Sequence, residues 1–188
     1  RFEDRLYLLP AAQTVDKNAV NPEQMKELVL ELKREYDYVL IDCPAGIEQG
    51  YKNAIAGADK AIVVTTPEIS AVRDADRIIG LLEQEGTIDP PKLIINRIRQ
   101  HLMNQGDALD INEITTHLSI DLLGIIADDE SVITSSNKGE PVVMDPSNRA
   151  ALGYRNIARR ILGESVPLMS MDLPKVGVFS KIKSIFSK

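Results

Sequence analysis

Ala61-Ile62-Val63-Val64-Thr65 and Leu93-Ile94-Ile95 are two short aliphatic runs, and residues 71–85 between them carry a helical pattern. A strand, a helix of that length and a second strand predict a crossover between parallel strands. The same alternation continues outward. Leu122 to Ile126 reads as a further strand, followed by a long helix from about Asn148 to Leu162 with Gly163 as its stop. Upstream, Tyr38-Val39-Leu40-Ile41 reads as a strand ending in Asp42, and Leu6 to Leu9 as another. Asn21-Pro22-Glu23 opens a helix: Asn caps, Pro takes the first turn, and Glu favours the positive end. Met25, Leu28, Val29 and Leu32 then follow helical spacing. The expectation is an α/β fold, a mostly parallel sheet with flanking helices.

Composition agrees with that class. The 188 residues are 44% apolar but only 4% aromatic, so Ile, Leu, Val and Ala supply the core, as suits buried parallel strands. The net charge of −6 makes nucleic acid an unsuitable principal partner. Charge is unevenly spread: Lys175 to Lys188 holds four lysines and no acid, which leaves −10 for the rest of the −6 chain. That asymmetry marks the last residues as a separate device. Cys43 is the only cysteine, so no intrachain disulfide forms and a reducing cytosol is the expected setting. The chain begins at Arg1 almost directly in an apolar run, from which an N-terminal part preceding it is expected.

Polar residues sit at the ends of the predicted strands, where open α/β sheets bind ligands. Asp42 is followed by Pro44-Ala45-Gly46, an acid placed to hold Mg²⁺ or a metal-bound water and a glycine that frees the next loop. Taken alone, a strand-end Asp is as often a turn cap. Thr65-Thr66-Pro67-Glu68 leads into a helix start dense in both charges, from Ser70 through Arg73, Asp74 and Asp76 to Arg77. That start is either a solvated face with intrahelical pairs or a surface for a partner. Asn96, and Ala127 with Asp128 and Asp129, close the next two strands; an Asn amide both donates to and accepts from a purine edge. No G-x-x-x-x-G-K-S/T loop occurs, so the phosphate cradle of such a site is absent from these residues. His101 and His117 are isolated, and no spacing supports a metal-ligand set around them.

The tail carries the second strong pattern. Val178, Phe179, Ile182, Ile185 and Phe186 share one helical face, flanked by Lys181, Lys183 and Lys188. An apolar stripe edged by lysines suits a helix lying in the plane of an anionic membrane, and a helix docked on its own domain is the alternative.

Several motifs together resemble the MinD/ParA family of deviant Walker A ATPases, in its MinD branch, along essentially the whole chain. They are Leu9-Pro10-Ala11-Ala12-Gln13, Asp42-Cys43-Pro44-Ala45-Gly46-Ile47-Glu48, Thr66-Pro67-Glu68, Val72-Arg73-Asp74-Ala75-Asp76-Arg77, Asn137-Lys138-Gly139-Glu140-Pro141 and the basic tail. The form with Gln49-Gly50-Tyr51-Lys52-Asn53 is similar to that of Gram-positive relatives. The resemblance implies a P-loop NTPase-like fold whose Walker A portion precedes Arg1, with residues 1–163 in the ATPase domain, 164–174 a linker and 175–188 a membrane-targeting helix. It implies ATP and Mg²⁺ as ligands, Asp42 as the Walker B acid, and Pro44, Ala45 and Gly46 in switch II. Asn96, Ala127, Asp128 and Asp129 would line the adenine pocket, and Ser70, Arg73, Asp74 and Asp76 the partner surface. Val178, Phe179, Lys181, Ile182, Lys183, Ile185 and Phe186 would meet the membrane. The implied function is an ATP-dependent homodimer, cytoplasmic and peripheral on the inner face of the cell membrane, that recruits a MinC-like division inhibitor under MinE or a polar scaffold. A non-catalytic membrane adaptor is the competing reading. An iron protein of the same superfamily would need at least two cysteine ligands per subunit, and Cys43 is alone.

Overall fold

The computed structural model describes residues 5–10, 20–86 and 88–169. It falls into two compact units, residues 1–61 with 87–89 and residues 62–86 with 90–188. The membrane-facing residues of the predicted tail, Val178 to Phe186, lie outside the described residues.

In the first unit, helix α1 spans Pro22–Glu35 and α2 spans Gln49–Ile55. α1 begins where the sequence predicts. The Asn21 side chain accepts from the Gln24 N–H at 2.8 Å, and the Gln24 side chain accepts from the Asn21 N–H at 3.1 Å, a reciprocal cap for two otherwise orphaned donors. Val29 of α1 and Tyr51 and Ala54 of α2 are buried. Lys33 and Asp59 pair at 2.6 Å, and Asn53 donates to the Val20 carbonyl at 2.8 Å.

Two expected strands are corrected here. Residues 38–42 form no ladder, and residues 6–9 hold no more than a single bridge at Leu6. Leu40 is 83% exposed and Leu8 84%. The apolar pattern is intact in both runs. A strand, however, exists only when a neighbour takes up its N–H and C=O rows, and no described segment does so.

The second unit is built on three parallel strands in the order β1 (Ile62–Thr65), β2 (Lys92–Ile98) and β3 (Asp121–Ala127). Ile95 of β2 stands opposite Thr65 on one side and Ile125 on the other. Leu93 and Ile95 have no exposed surface, as expected for a central strand covered on both faces. Helix α3 (Ile69–Glu85) crosses from β1 to β2 and buries Val72, Ala75, Ile79 and Leu82, one stripe at helical spacing. Two short helices, α4 (Gln100–Gln105) and α5 (Ile111–Leu118), connect β2 to β3; α6 (Glu130–Lys138) and α7 (Arg149–Ile161) follow.

α7 buries Ala150, Ala151, Gly153, Asn156 and Ile157, and its Ala150 and Ile157 join Ile94, Leu123 and Ile126 of the sheet in one apolar cluster. The helix approaches so closely that a Cβ on Gly153 would lie 2.8 Å from the Ile125 carbonyl oxygen. Beyond it, Arg160 donates to the Leu123 carbonyl at 2.9 Å and to the Val166 and Pro167 carbonyls, tying the start of the expected linker back to β3.

Two helical glycines give opposite expectations. Gly153→Ala forces α7 off β3 and should lower stability by about 1–3 kcal/mol. Gly80→Ala in α3, where the new Cβ meets nothing within 4 Å, should raise it by up to about 1 kcal/mol through helix propensity. Thermal unfolding of the two variants checks the pair, and a stabilised Gly153→Ala would contradict the packing.

Candidate functional site

Three strand ends meet at the carboxyl edge of the sheet. After β1, the buried Thr65 hydroxyl donates to the Thr66 carbonyl at 3.3 Å, and the Pro67 carbonyl accepts from the Leu109 N–H at 3.1 Å, which closes the loop onto the α4–α5 connection. After β3 comes Asp128, whose N–H donates to the Ile98 carbonyl at 3.0 Å. The predicted residues Asn96, Ala127, Asp128 and Asp129 therefore do share one edge.

β2 does not reach that edge as a regular strand. Between Ile95 and Ile98 it holds one residue more than β3 does between Ile125 and Ala127. The extra residue is absorbed as a bulge, with Arg97 at φ 55°. For a residue with a Cβ this left-handed conformation costs about 1–2 kcal/mol. Local groups hold it. The Arg97 N–H donates to Asn96 Oδ1 at 2.8 Å, and the Arg97 side chain donates through Nε to Asp128 Oδ1 at 3.3 Å. Arg99 donates through Nε to Asp128 Oδ2 at 2.6 Å. Burial alone would raise the Asp128 pKa, but the hydrogen bonds and charges of Arg99 and Arg97 outweigh it and hold the carboxyl below the usual range. The hydrogen bond to Asp128 and its charge likewise raise the Arg99 pKa.

Asp129 is committed elsewhere. It caps α6 by accepting from the Ser131 N–H at 2.9 Å, and its second oxygen accepts from Asn148 Nδ2 at 2.9 Å. Asn148 in turn caps α7 through the Ala151 N–H. The Ser131 hydrogen bonds, helped by Asn148, hold the Asp129 pKa down despite partial burial. Both carboxylates at this edge thus organise protein, whereas the Asn96 amide uses only its oxygen, accepting from the Arg97 N–H. Arg97, Arg99 and Asn148 were not among the predicted site residues. The doubled arginine of Asn96-Arg97-Ile98-Arg99 was the available signal, but its partner lies 29–31 residues away.

The remaining predicted residues lie elsewhere on the chain. In the first unit, Asp42, Pro44, Ala45 and Gly46 are exposed, and the Asp42 carboxylate accepts no hydrogen bond from a described residue. Gly46 takes φ 100°, a conformation open to glycine and strained for side chains with a Cβ. Burial, then the Asp42 charge, raises the Cys43 thiol pKa, which suits an unreactive cysteine. In the second unit, Ser70, Arg73, Asp74, Asp76 and Arg77 are exposed along α3, between its buried positions. The intrahelical pairs of the bland reading do not form: none of these charged side chains has an ion-pair partner among the described residues. Among the described residues no three His, Cys, Asp or Glu side chains cluster as a metal cage, and no helix is long and apolar enough to cross a membrane.

The sequence and the fold are similar to those of known proteins. The AAA domain family matches residues 5–88. The septum site-determining protein MinD of Bacillus subtilis is 72% identical over 186 residues, covering 99% of this chain and 69% of the relative. The solved MinD cell division protein of Aquifex aeolicus superposes with a TM-score of 0.77 at 40% identity, over 80% of this chain and 64% of that one. The MinC:MinD cell division protein complex of the same organism gives 0.77 at 39% identity, over 81% and 63%. The chain thus spans about two thirds of the length of these relatives.

The lowered carboxylates set an acid limit. A depressed native pKa contributes stability that is complete above the unfolded value, about 3.9 for Asp, and is lost as pH falls through the native value. Stability from Asp128 and Asp129 should therefore be level from neutrality down to about pH 5 and lost below about pH 4. Chemical denaturation across that range should show a shallower acid limb for Asp129→Asn than for the wild type. An unchanged limb would mean that the Asp129 cap adds nothing.

Proposed function

Because this chain belongs to the MinD family, we propose that it is the C-terminal part of an ATPase that selects the division site, binding membrane as an ATP-dependent dimer and recruiting a MinC-like inhibitor. The observation that carries the nucleotide reading is the convergence of Asn96 with Ala127, Asp128 and Asp129 on one carboxyl edge of a parallel sheet, the position where such sheets take nucleotides. In this reading Asn96 meets the adenine and the backbone of 127–129 lines it, while the phosphate loop belongs to the part of the protein preceding Arg1.

The Mg²⁺ fit is adequate. This ion is usually held by one or two carboxylates together with substrate phosphates and waters rather than by an all-protein cage. Asp42, exposed and accepting no hydrogen bond from a described residue, is the side chain that would hold it, through a water; when bound, the ion neutralises phosphate charge. Gly46, at φ 100°, frees the following loop from the limits of a Cβ, and in this reading Pro44, Ala45 and Gly46 form the segment that responds to the γ-phosphate. The unpaired charges of Ser70 to Asp76 on α3 form the docking surface for the inhibitor. Arginine and carboxylate side chains without intramolecular partners are available for a partner's charges.

The tail completes the cycle. A single short amphipathic helix with Val178, Phe179, Ile182, Ile185 and Phe186 on its apolar face binds lipid only marginally. Lys181 and Lys183 add about 1 kcal/mol each at an anionic surface. Two tails in an ATP-bound dimer gain avidity on the order of 10²-fold or more, since the second contact is intramolecular. Hydrolysis then releases the protein into the cytoplasm. MinE or a polar scaffold would act on this cycle from outside, and the acidic body leaves no role for nucleic acid. The adaptor alternative keeps the tail and the α3 surface but has no dependence on ATP.

One sedimentation experiment separates these claims. The full-length protein, a MinC-like partner and anionic vesicles are spun with ATP or with ADP. ATP should bring both proteins into the pellet. Phe186→Glu should leave both in the supernatant, and Asp76→Ala should pellet the ATPase without its partner. Equal pelleting in ATP and ADP would favour the adaptor, and partner recruitment by Asp76→Ala would remove the α3 surface from the account.

A further inference from the structure

Asp128 touches the outgoing end of β2 at three consecutive residues. Its carboxylate takes the Arg97 and Arg99 side chains on separate oxygens, and its backbone N–H takes the carbonyl of Ile98 between them. This three-point hold falls on the irregular carboxyl end of β2, where Arg97 sits in a left-handed conformation. Strain of this kind persists only where surrounding groups over-determine it, and it concentrates at ligand sites.

The bulge fixes the neighbouring amide. The Arg97 backbone N–H can only donate, so the atom of Asn96 that receives it at 2.8 Å is the oxygen. The group left over is the Nδ2 donor, in a single orientation. Asn96 is only half-buried, so this donor is open to an acceptor from a ligand, such as a ring nitrogen of a base. If Arg97 leaves the left-handed region, its N–H turns away, and the Asn96 side chain loses the contact that orients it.

We propose that Asp128 is a positioning residue for base recognition: by gripping Arg97 and Arg99 it keeps the β2 bulge in the shape that presents the Asn96 amide donor to a nucleobase. This rests on the nucleotide reading above, and it gives Asp128 a role other than contact with the base. The carboxylate is already occupied by two guanidinium groups. Its effect reaches the ligand through the backbone of residues 96–97.

The test compares ATP with inorganic tripolyphosphate, which has no base, by calorimetry on the full-length protein and variants. The wild type should bind ATP much more tightly than tripolyphosphate. Asp128→Asn should weaken ATP on the order of tenfold, the size of one lost hydrogen bond to the base, with tripolyphosphate affinity unaltered. Adding Arg97→Gly to Asp128→Asn should restore most of the loss, because glycine adopts the left-handed conformation without a grip to hold it. If Asp128→Asn fails to fold, Arg99→Ala carries the same test, since it removes the 2.6 Å arm and keeps the carboxylate; its expected loss is about threefold.

A wild type with no preference for ATP over tripolyphosphate would overturn the nucleotide reading itself. A wild-type preference that survives Asp128→Asn would overturn only the positioning role. Equal losses for both ligands, or no rescue by Arg97→Gly, would also overturn it, by showing general damage to the fold.

Discussion

The second unit depends on β2 being paired on both sides. A parallel strand has no hairpin partner built into the chain; its N–H and C=O rows are satisfied only when two remote segments arrive in register. Thr65 and Ile125 flank Ile95, and Leu93 and Ile95 are wholly buried as a result. α3 carries the chain back from β1 to make one pairing, and α4 and α5 make the other. The polar residues that follow each strand then collect at one edge, because parallel strands all end on the same side. Chemistry at that edge follows from this topology.

The β2–β3 ladder is interrupted just short of the edge. One extra residue in β2 puts Arg97 in a left-handed conformation, and the two guanidinium groups on Asp128 hold the break closed. These ion pairs are partly exposed, and such pairs contribute at most about 1 kcal/mol each. Their importance is geometric: they convert an irregularity in the strand into a fixed orientation for Asn96. Asp129 performs a parallel task one residue later, joining the start of α6 to the start of α7 through Asn148. Neighbouring acids at the end of β3 thus brace different elements.

Much of this was legible in the sequence, for identifiable reasons. β1, β2, β3, α3 and α7 were readable because each is long or apolar enough to show its period, and α1 because Asn21 and Pro22 announce its start. The shorter helices were not, although Asp110 and Glu113 form at the start of α5 the same reciprocal cap that Asn21 and Gln24 form at α1. Residues 6–9 and 38–42 carry a strand pattern because alternation and apolarity report a suitable surface, whereas a ladder also needs a partner. Asn96 and Ala127 to Asp129 were placed at the edge correctly by topology. What Asp128 and Asp129 do there was hidden, since their partners are set by the fold and not by local spacing. The membrane face of the tail rests on its pattern alone.

In the proposed function this chain supplies the base edge of a nucleotide switch, and the phosphate cradle comes from an upstream portion. Calorimetry with Mg²⁺ and ATP tests that division directly, on residues 1–188 alone and on the same residues joined to the N-terminal portion of the Bacillus subtilis relative. Tight, Mg²⁺-dependent binding should appear only in the joined protein and should fall sharply with Asp42→Ala. Equally tight, Mg²⁺-dependent binding by residues 1–188 alone would contradict the account.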